Sequence, residues 1–263
     1  MRLALASLAL LALAGCRQAA EEESVSAAAD QGPAPCVPVV FDDTPLTHCT
    51  AEPERHRIRM ALGPDGGEPY GSFAAMAADR PGDRPPVAFA MNGGMFDEGG
   101  QPVGYYVSGG RRLTVLNENE GPGNFHMKPN GVFFGGAGRE WRVLDSETFA
   151  AEVTQRPEFA TQSGPMLVID GELHEAFDPD GESLKMRNGV GVDRAGRAHF
   201  VVSEAPVSFG KFARYFRDVA RTPNALFLDG SVSALWDPAR NRMDAPAPLG
   251  PLIVVEKQAR SAP

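Results

Sequence analysis

Glycine and proline interrupt this chain too often for long helices to run through it. Of 263 residues, 29 are Gly and 23 are Pro, residues that favour tight turns between short elements. Between the interruptions lie short apolar runs with turn dipeptides at their centres, the pattern of β-hairpins. YYVSGGRRLTVL (105–116) has Gly109-Gly110 between two strand-like runs, and MLVIDGELH (166–174) has Asp170-Gly171. VFFGGAGREWRVL (132–144) and GVGVDRAGRAHFVVS (189–203) carry longer turns, and ALFLDGSVSALW (225–236) and PLIVVEK (251–257) add strands near the end. Helical patterns are few. Residues 72–79 and 146–155 each open with a capping-type Ser. Residues 208–220 place Phe209, Phe212, Phe216 and Val219 at helical spacing, a stripe that belongs in a core.

No composition break or internal repeat divides the chain after Cys36. The expectation is one α+β domain, about residues 36–258. It has a mixed or mostly antiparallel sheet built from hairpins and flanked by a few helices. A chain that is 43% hydrophobic and 22% charged is neither disordered nor coiled-coil, and a core of this size needs no metal or dense disulfide framework. The net charge of −9 excludes nucleic acid as a natural partner and argues against a polybasic membrane patch.

Residues 1–15 read as a signal peptide. Arg2 precedes a 12-residue apolar run, Leu3–Ala14, shorter than the ~20 residues that span a bilayer. Leu13-Ala14-Gly15-Cys16 resembles the bacterial lipobox, which implies lipidation of Cys16; a plain secretory signal is the alternative. Residues 16–35 are then the lipidated Cys and a tether rich in Ala, Glu, Ser and Pro, reaching roughly 25 Å as a flexible coil. The expected location is the bacterial envelope, membrane-bound through Cys16 and facing the periplasm. Arg17, where an inner-membrane retention signal typically has Asp, points to the outer membrane. Cys36 and Cys49 either close a disulfide, worth about 3 kcal/mol in an exported domain, or stay separate thiols.

Common catalytic signatures are missing: no GxxxxGK[ST], dinucleotide-binding GxGxxG, GxSxG or HExxH occurs. The five His (48, 56, 126, 174, 199) have no ligand spacing. Ser208-Phe-Gly-Lys211 matches SxxK, but without the accompanying SDN and KTG elements it reads as an N-cap Ser and a surface Lys. What remains is a set of polar residues in Gly-rich, otherwise apolar segments. They are Asn92 and Gly93 in MNGGMF, Lys128 and Asn130 in GNFHMKPNGVF, and Ser163 and Gly164 in ATQSGPML. Arg187 and Asn188 follow in KMRNGVGVD, and Asp229, Gly230 and Ser231 in ALFLDGSVSAL. Singly, each is also a turn former; Asp229, directly after ALFL, is the sharpest because a carboxylate at a buried strand's exit needs partners.

In this order, MNGGMF, PVGYYV, GNFHMKPNGVFF, TQSGPMLVIDGELH, RNGVGVD, FARYFRD and ALFLDGSVSALW resemble the phosphodiester glycosidases, the family of the lysosomal uncovering enzyme. The resemblance covers about residues 87–255 and is nearest to small exported bacterial members. One departure is Asp229-Gly230-Ser231, with Ser233 behind, where the family has Asp-Gly-Gly. The resemblance implies hydrolysis of the glycosidic bond of a sugar-1-phosphodiester, N-acetylglucosamine-like, in a phosphorylated glycan, polymer or lipid-linked substrate. Alternatives are a non-catalytic glycan- or cell-wall-binding lipoprotein and a hydrolase of the phosphate side. The expected catalytic set is Asp229 as nucleophile or base, Glu204 as its partner carboxylate and Arg187 holding the departing phosphate, with Lys128 as a second cation. Asn92, Gly93, Asn130, Ser163, Gly164, Asn188, Gly230 and Ser231 would line the substrate. No cofactor or metal is called for, although the clustered Asp residues leave a bound calcium open.

Overall fold

The computed structural model describes residues 34–136, 139–230, 232–245 and 247–258. The proposed leader, Cys16 and most of the tether lie outside the described residues. Among these, no helix is long and apolar enough to cross a membrane. From Pro35 onward the described residues form one compact unit.

The chain begins with strands β1 (Cys36–Phe41), β2 (Thr44–Ala51) and β3 (His56–Ala61), then helix α1 (Phe73–Asp79). Strands β4 (Val87–Asn92), β5 (Tyr106–Ser108), β6 (Arg111–Thr114), β7 (Gly131–Gly136) and β8 (Arg139–Asp145) lead to α2 (Ser146–Glu152). Next come β9 (Phe159–Ser163), β10 (Met166–Ile169), β11 (Glu172–Leu173), β12 (Asn188–Val192), β13 (Ala198–Ser203) and α3 (Phe209–Arg214). The last strands are β14 (Asn224–Phe227), β15 (Leu235–Asp237), β16 (Arg242–Met243) and β17 (Leu252–Lys257). They form three sheets, ordered β1-β2-β13-β12-β14-β10-β11, β16-β15-β4-β17-β3 and β6-β5-β9-β7-β8. Every pairing between these strands is antiparallel. The mostly antiparallel α+β expectation holds, with three sheets in place of one.

The hairpins follow from turn chemistry. Gly109 and Gly110 take φ of +57° and +74°, and Asp170 and Gly171 take +49° and +89°, the two successive left-handed residues of a type I′ turn. Asp42 and Asp43 do the same between β1 and β2 at +44° and +61°, a turn that no glycine advertises. Cys36 and Cys49 face each other across that pair and form the disulfide.

One cluster of buried side chains draws on all three sheets, including Phe89, Phe133, Phe159, Phe200 and Ile253. Each sheet also packs a helix on its other face. In β17, Leu252 and Val254 meet Phe73 and Met76 of α1, while Ile253 and Val255 enter the shared core, as the period-two alternation of a strand dictates. Phe149 of α2 joins Tyr105, Val132 and Phe134.

Two helix details differ from expectation. The cap of α2 is Asp145, whose Oδ1 accepts from Thr148 N at 2.9 Å; Ser146 is already the first helical residue. Ser208 does cap α3, accepting from Lys211 N at 3.1 Å, and the Lys211 ammonium reaches the Asp42 carbonyl. After Arg214, however, the helix widens into a π-turn over Tyr215–Val219. The wider turn breaks the 3.6-residue register, so Tyr215 is buried and Val219, expected in the buried stripe, is 48% exposed.

Tyr215 closes a polar chain that the sequence left scattered. Its hydroxyl lies 2.8 Å from His48 Nδ1, His48 Nε2 lies 2.9 Å from His199 Nδ1, and His199 Nε2 lies 3.1 Å from Asp193 Oδ2. Burial first, then His199 and Arg197, hold His48 down to about 4. Burial also lowers His199, against the pull of Asp193. Both folded values lie below 6.5, so the unfolded chain takes up protons that the folded chain refuses. Stability present at neutral pH is therefore lost as pH falls from 6.5 toward 4. Urea midpoints should decline between pH 6.5 and 5, and His48→Gln should flatten that decline; an equal slope in the variant would remove the histidine pair as its cause.

Candidate active site

Asn92 ends β4, Asn188 starts β12 and Asp229 follows β14, so three strand ends from two sheets meet at one point. The two amides lock them together. Asn92 Oδ1 accepts from Asn188 Nδ2 and from Ala234 N, both at 2.9 Å, and Asn92 Nδ2 donates to Val232 O at 2.6 Å. Asn188 Nδ2 also reaches Asn92 O at 3.3 Å, and Asn188 Oδ1 accepts from Asp229 N at 2.9 Å. Asn92, Asn188 and Asp229 are all buried. The amides predicted to line substrate are spent on the protein itself, positioning Asp229. The Asp229 carbonyl accepts from the Ser233 hydroxyl at 3.2 Å, which ties the turn back on itself.

Arg187, just before β12, is 1% exposed. Its Nε donates to Val207 O and its Nη2 to Ser183 O, both at 2.9 Å. The guanidinium carbon lies 3.5 Å over the Phe209 ring and 5.5 Å from that of Phe227. Phe209 stacks on Phe177 at 4.8 Å and 6°, and Phe177 on His174 at 4.7 Å and 21°. His174 Nε2 is 3.0 Å from Lys128 O. Among the described residues no carboxylate pairs with Arg187. Burial alone lowers its pKa, to about 10, the mark of a cation taken out of water without a counter-ion. The stack of His174, Phe177 and Phe209 escaped the sequence reading; GELHEAF shows no sign that its ring residues lie under a distant arginine.

The Ser163 hydroxyl donates to Leu228 O and is fully buried, joining β9 to the strand that carries Asp229. Gly164 follows, and a Cβ there would lie 2.7 Å from Asn130 Cβ and 2.9 Å from Phe125 O, so only glycine lets these segments meet. Asn130 Nδ2 donates to Phe125 O at 3.0 Å, while its buried Oδ1 has no partner among the described residues. The Gly93 amide donates to Pro251 O at 2.7 Å. Its neighbour Gly94, absent from the predicted set, is the tighter position: a Cβ would fall 2.3 Å from Gln162 O. Gly230 rests against the Phe227 ring. Ser231 lies outside the described residues.

Two predicted members stand apart. Lys128 is exposed and its ammonium donates to Glu118 O at 3.1 Å. Glu204 follows β13 directly, two strands from β14, or about 10 Å across the sheet. Its carboxylate is taken by Arg242 and the Thr47 hydroxyl, so the pairing of Glu204 with Asp229 is corrected: an ion pair elsewhere holds it. Among the described residues, no group of three or more His, Cys, Asp or Glu is placed to hold a metal.

Residues 86–256 match the phosphodiester glycosidase family, and the chain belongs to it. It is 35% identical over 187 residues to the uncharacterized protein YigE of Escherichia coli K12, covering 71% of this chain and 72% of that one. The fold resembles the catalytic domain of zebrafish N-acetylglucosamine-1-phosphodiester alpha-N-acetylglucosaminidase, solved in a form auto-inhibited by its pro-peptide. The TM-score is 0.57 at 14% identity, over 87% of this chain and 85% of that one. A protein of Burkholderia pseudomallei K96243 gives 0.55 at 12% identity, over 81% and 74%. At these identities the structural likeness shows the fold alone.

Removing the Asn92 amide strands Ala234 N–H, Val232 O and one Asn188 hydrogen in a buried place. At roughly 1–3 kcal/mol per orphaned group, with partial relaxation, Asn92→Ala should cost about 2–4 kcal/mol. Urea unfolding checks this, and a loss below 1 kcal/mol would show that the bridge is dispensable.

Proposed function

We propose that this chain is an exported, lipid-anchored hydrolase that cleaves the glycosidic bond of a sugar-1-phosphodiester in envelope glycan, polymer or lipid-linked material. The observation that carries the reading is Arg187, a buried cation that no carboxylate pairs with among the described residues, set one residue before the asparagine that holds Asp229. A phosphodiester supplies the missing negative charge. Cleavage at C1 builds positive charge on the sugar and returns the electron pair to a phosphate oxygen. That leaving group is a weak base, so an electrostatic hold on it matters more than a strong general acid. Arg187 provides the hold, pre-oriented by two backbone carbonyls and the Phe209 ring. Asp229 acts as nucleophile or as the base that activates water. With Glu204 engaged by Arg242, one carboxylate serves the centre. Asn130, with its unpartnered oxygen, accepts from a sugar hydroxyl; Asn92, Asn188 and Ser163 position Asp229 and do not touch substrate. The lipobox-like Leu13–Cys16 supports export and anchoring on the periplasmic side.

The test is release of sugar from an N-acetylglucosamine-1-phosphodiester by the purified protein. Wild type should liberate free sugar. Asp229→Asn should abolish turnover with unchanged unfolding, and Arg187→Lys should lower kcat/KM by about 10²–10³-fold. Release of sugar phosphate would assign cleavage to the phosphate side instead. Binding without turnover across a panel of sugars would convert the reading to a glycan-binding lipoprotein. Full activity in both variants would place the site elsewhere.

A further inference from the structure

A cleft of about 690 Å³ opens along β3, between the β5–β6 hairpin and the segment from Tyr70 to Arg84 that carries α1. Neither Arg187 nor Asp229 lines it. Its wall holds Arg59, Arg80 and Arg84, and the first two share one buried acid. Arg59 Nε and Arg80 Nη1 donate to the same oxygen of Glu256, at 2.8 and 2.7 Å. One carboxylate thus answers two cations whose side chains are only 23% and 11% exposed. Arg84 has no ion-pair partner among the described residues, and its charge is felt at Arg59. The nearby Asp79 is exposed and accepts from the Tyr70 hydroxyl at 2.6 Å. The other arginines of the wall, Arg57 and Arg111, are matched by Glu158 and Asp65. In a chain of net charge −9, this cleft keeps a positive surplus.

Tyr106, on β5, supplies a second and independent sign. Its side chain is wholly buried, and among the described residues its hydroxyl has no hydrogen-bond partner. Tyr106 lines the same cleft as Arg59, Tyr70 and Arg84. A buried phenol without an acceptor costs about 1–3 kcal/mol, whereas phenylalanine would fill the same space at no such cost. Among the described residues Arg59 is held through Nε, with no hydrogen bond to its two terminal nitrogens.

We propose that this cleft is a second oxyanion site, which seats a phosphate group between the guanidinium groups of Arg59 and Arg84 and the Tyr106 hydroxyl. The planar forks match two oxygens of a tetrahedral anion, and the phenol donates to a third. The volume leaves room for a saccharide carrying that phosphate.

The site is tested on the full chain by following the urea midpoint as inorganic phosphate is added to wild type, Tyr106→Phe and Arg84→Ala. General salting and any phosphate held at Arg187 act on all three proteins alike, so only differences between them count. Without phosphate, Tyr106→Phe should be as stable as wild type or more so. With phosphate, the wild-type midpoint should rise to a plateau, and each variant should need about tenfold more phosphate for the same rise. A parallel series with a hexose phosphate separates the sources. Tighter binding than the free ion assigns a sugar-borne group, and equal binding assigns the ion itself. The same phosphate response in all three proteins overturns the site. So does a Tyr106→Phe loss that is equal with and without phosphate, since an internal water would then be the hydroxyl's partner. Sugar release from the phosphodiester should stay unchanged in both variants, so a failure here is distinct from a failure at Arg187 and Asp229.

Discussion

A pair of buried asparagines holds the site of this protein together. Asn92 and Asn188 lie on different sheets, and only an amide, with a donor and an acceptor on one short side chain, can join two strand ends and a turn at once. Through Asn188 Oδ1 the bridge fixes the backbone of Asp229, and through Asn92 it fixes Val232 and Ala234 beyond. Ser163 adds a tie from the third sheet to Leu228. The backbone around Asp229 is therefore held by three sheets together. A buried network of this kind is stiff when complete and costly when broken.

Arg187 presents the opposite case, a buried cation that no carboxylate pairs with among the described residues. Two carbonyls and an aromatic face orient the guanidinium without neutralising it. Cation–π contact and backbone dipoles offset part of the desolvation cost, and the remainder favours an incoming anion. In the proposed reaction, this fixed orientation would let the electrostatic hold act without reorganisation. The second cationic cleft follows the same logic on a smaller scale, with two arginines on one carboxylate oxygen and a phenol awaiting an acceptor.

Much of the architecture was readable along the chain because its causes are local. Gly109-Gly110 and Asp170-Gly171 specify type I′ turns by themselves, and alternation in 251–257 puts one face on α1 and the other in the core. The Asp42-Asp43 turn was not readable, since two aspartates adopt left-handed backbone only when the flanking strands and their disulfide demand it. The α3 stripe failed at Val219 for a similar reason: a π-turn answers to packing around Tyr215, and helical periodicity cannot register it.

For the site, sequence order determined the residue types and the segments: the family motifs singled out Asn92, Asn130, Ser163, Arg187, Asn188 and Asp229, and all of them are buried. Roles were another matter. A strand-end position made Glu204 look like a partner for Asp229, but a sheet places β12 between them, and Arg242 claims the carboxylate. Likewise Asn92 and Asn188 looked like substrate ligands until their hydrogen bonds proved to be internal. Turn type, strand alternation and capping depend on neighbours along the chain, so the sequence by itself determined them. Which polar group stays unpartnered depends on neighbours across it, and only the tertiary structure decided that.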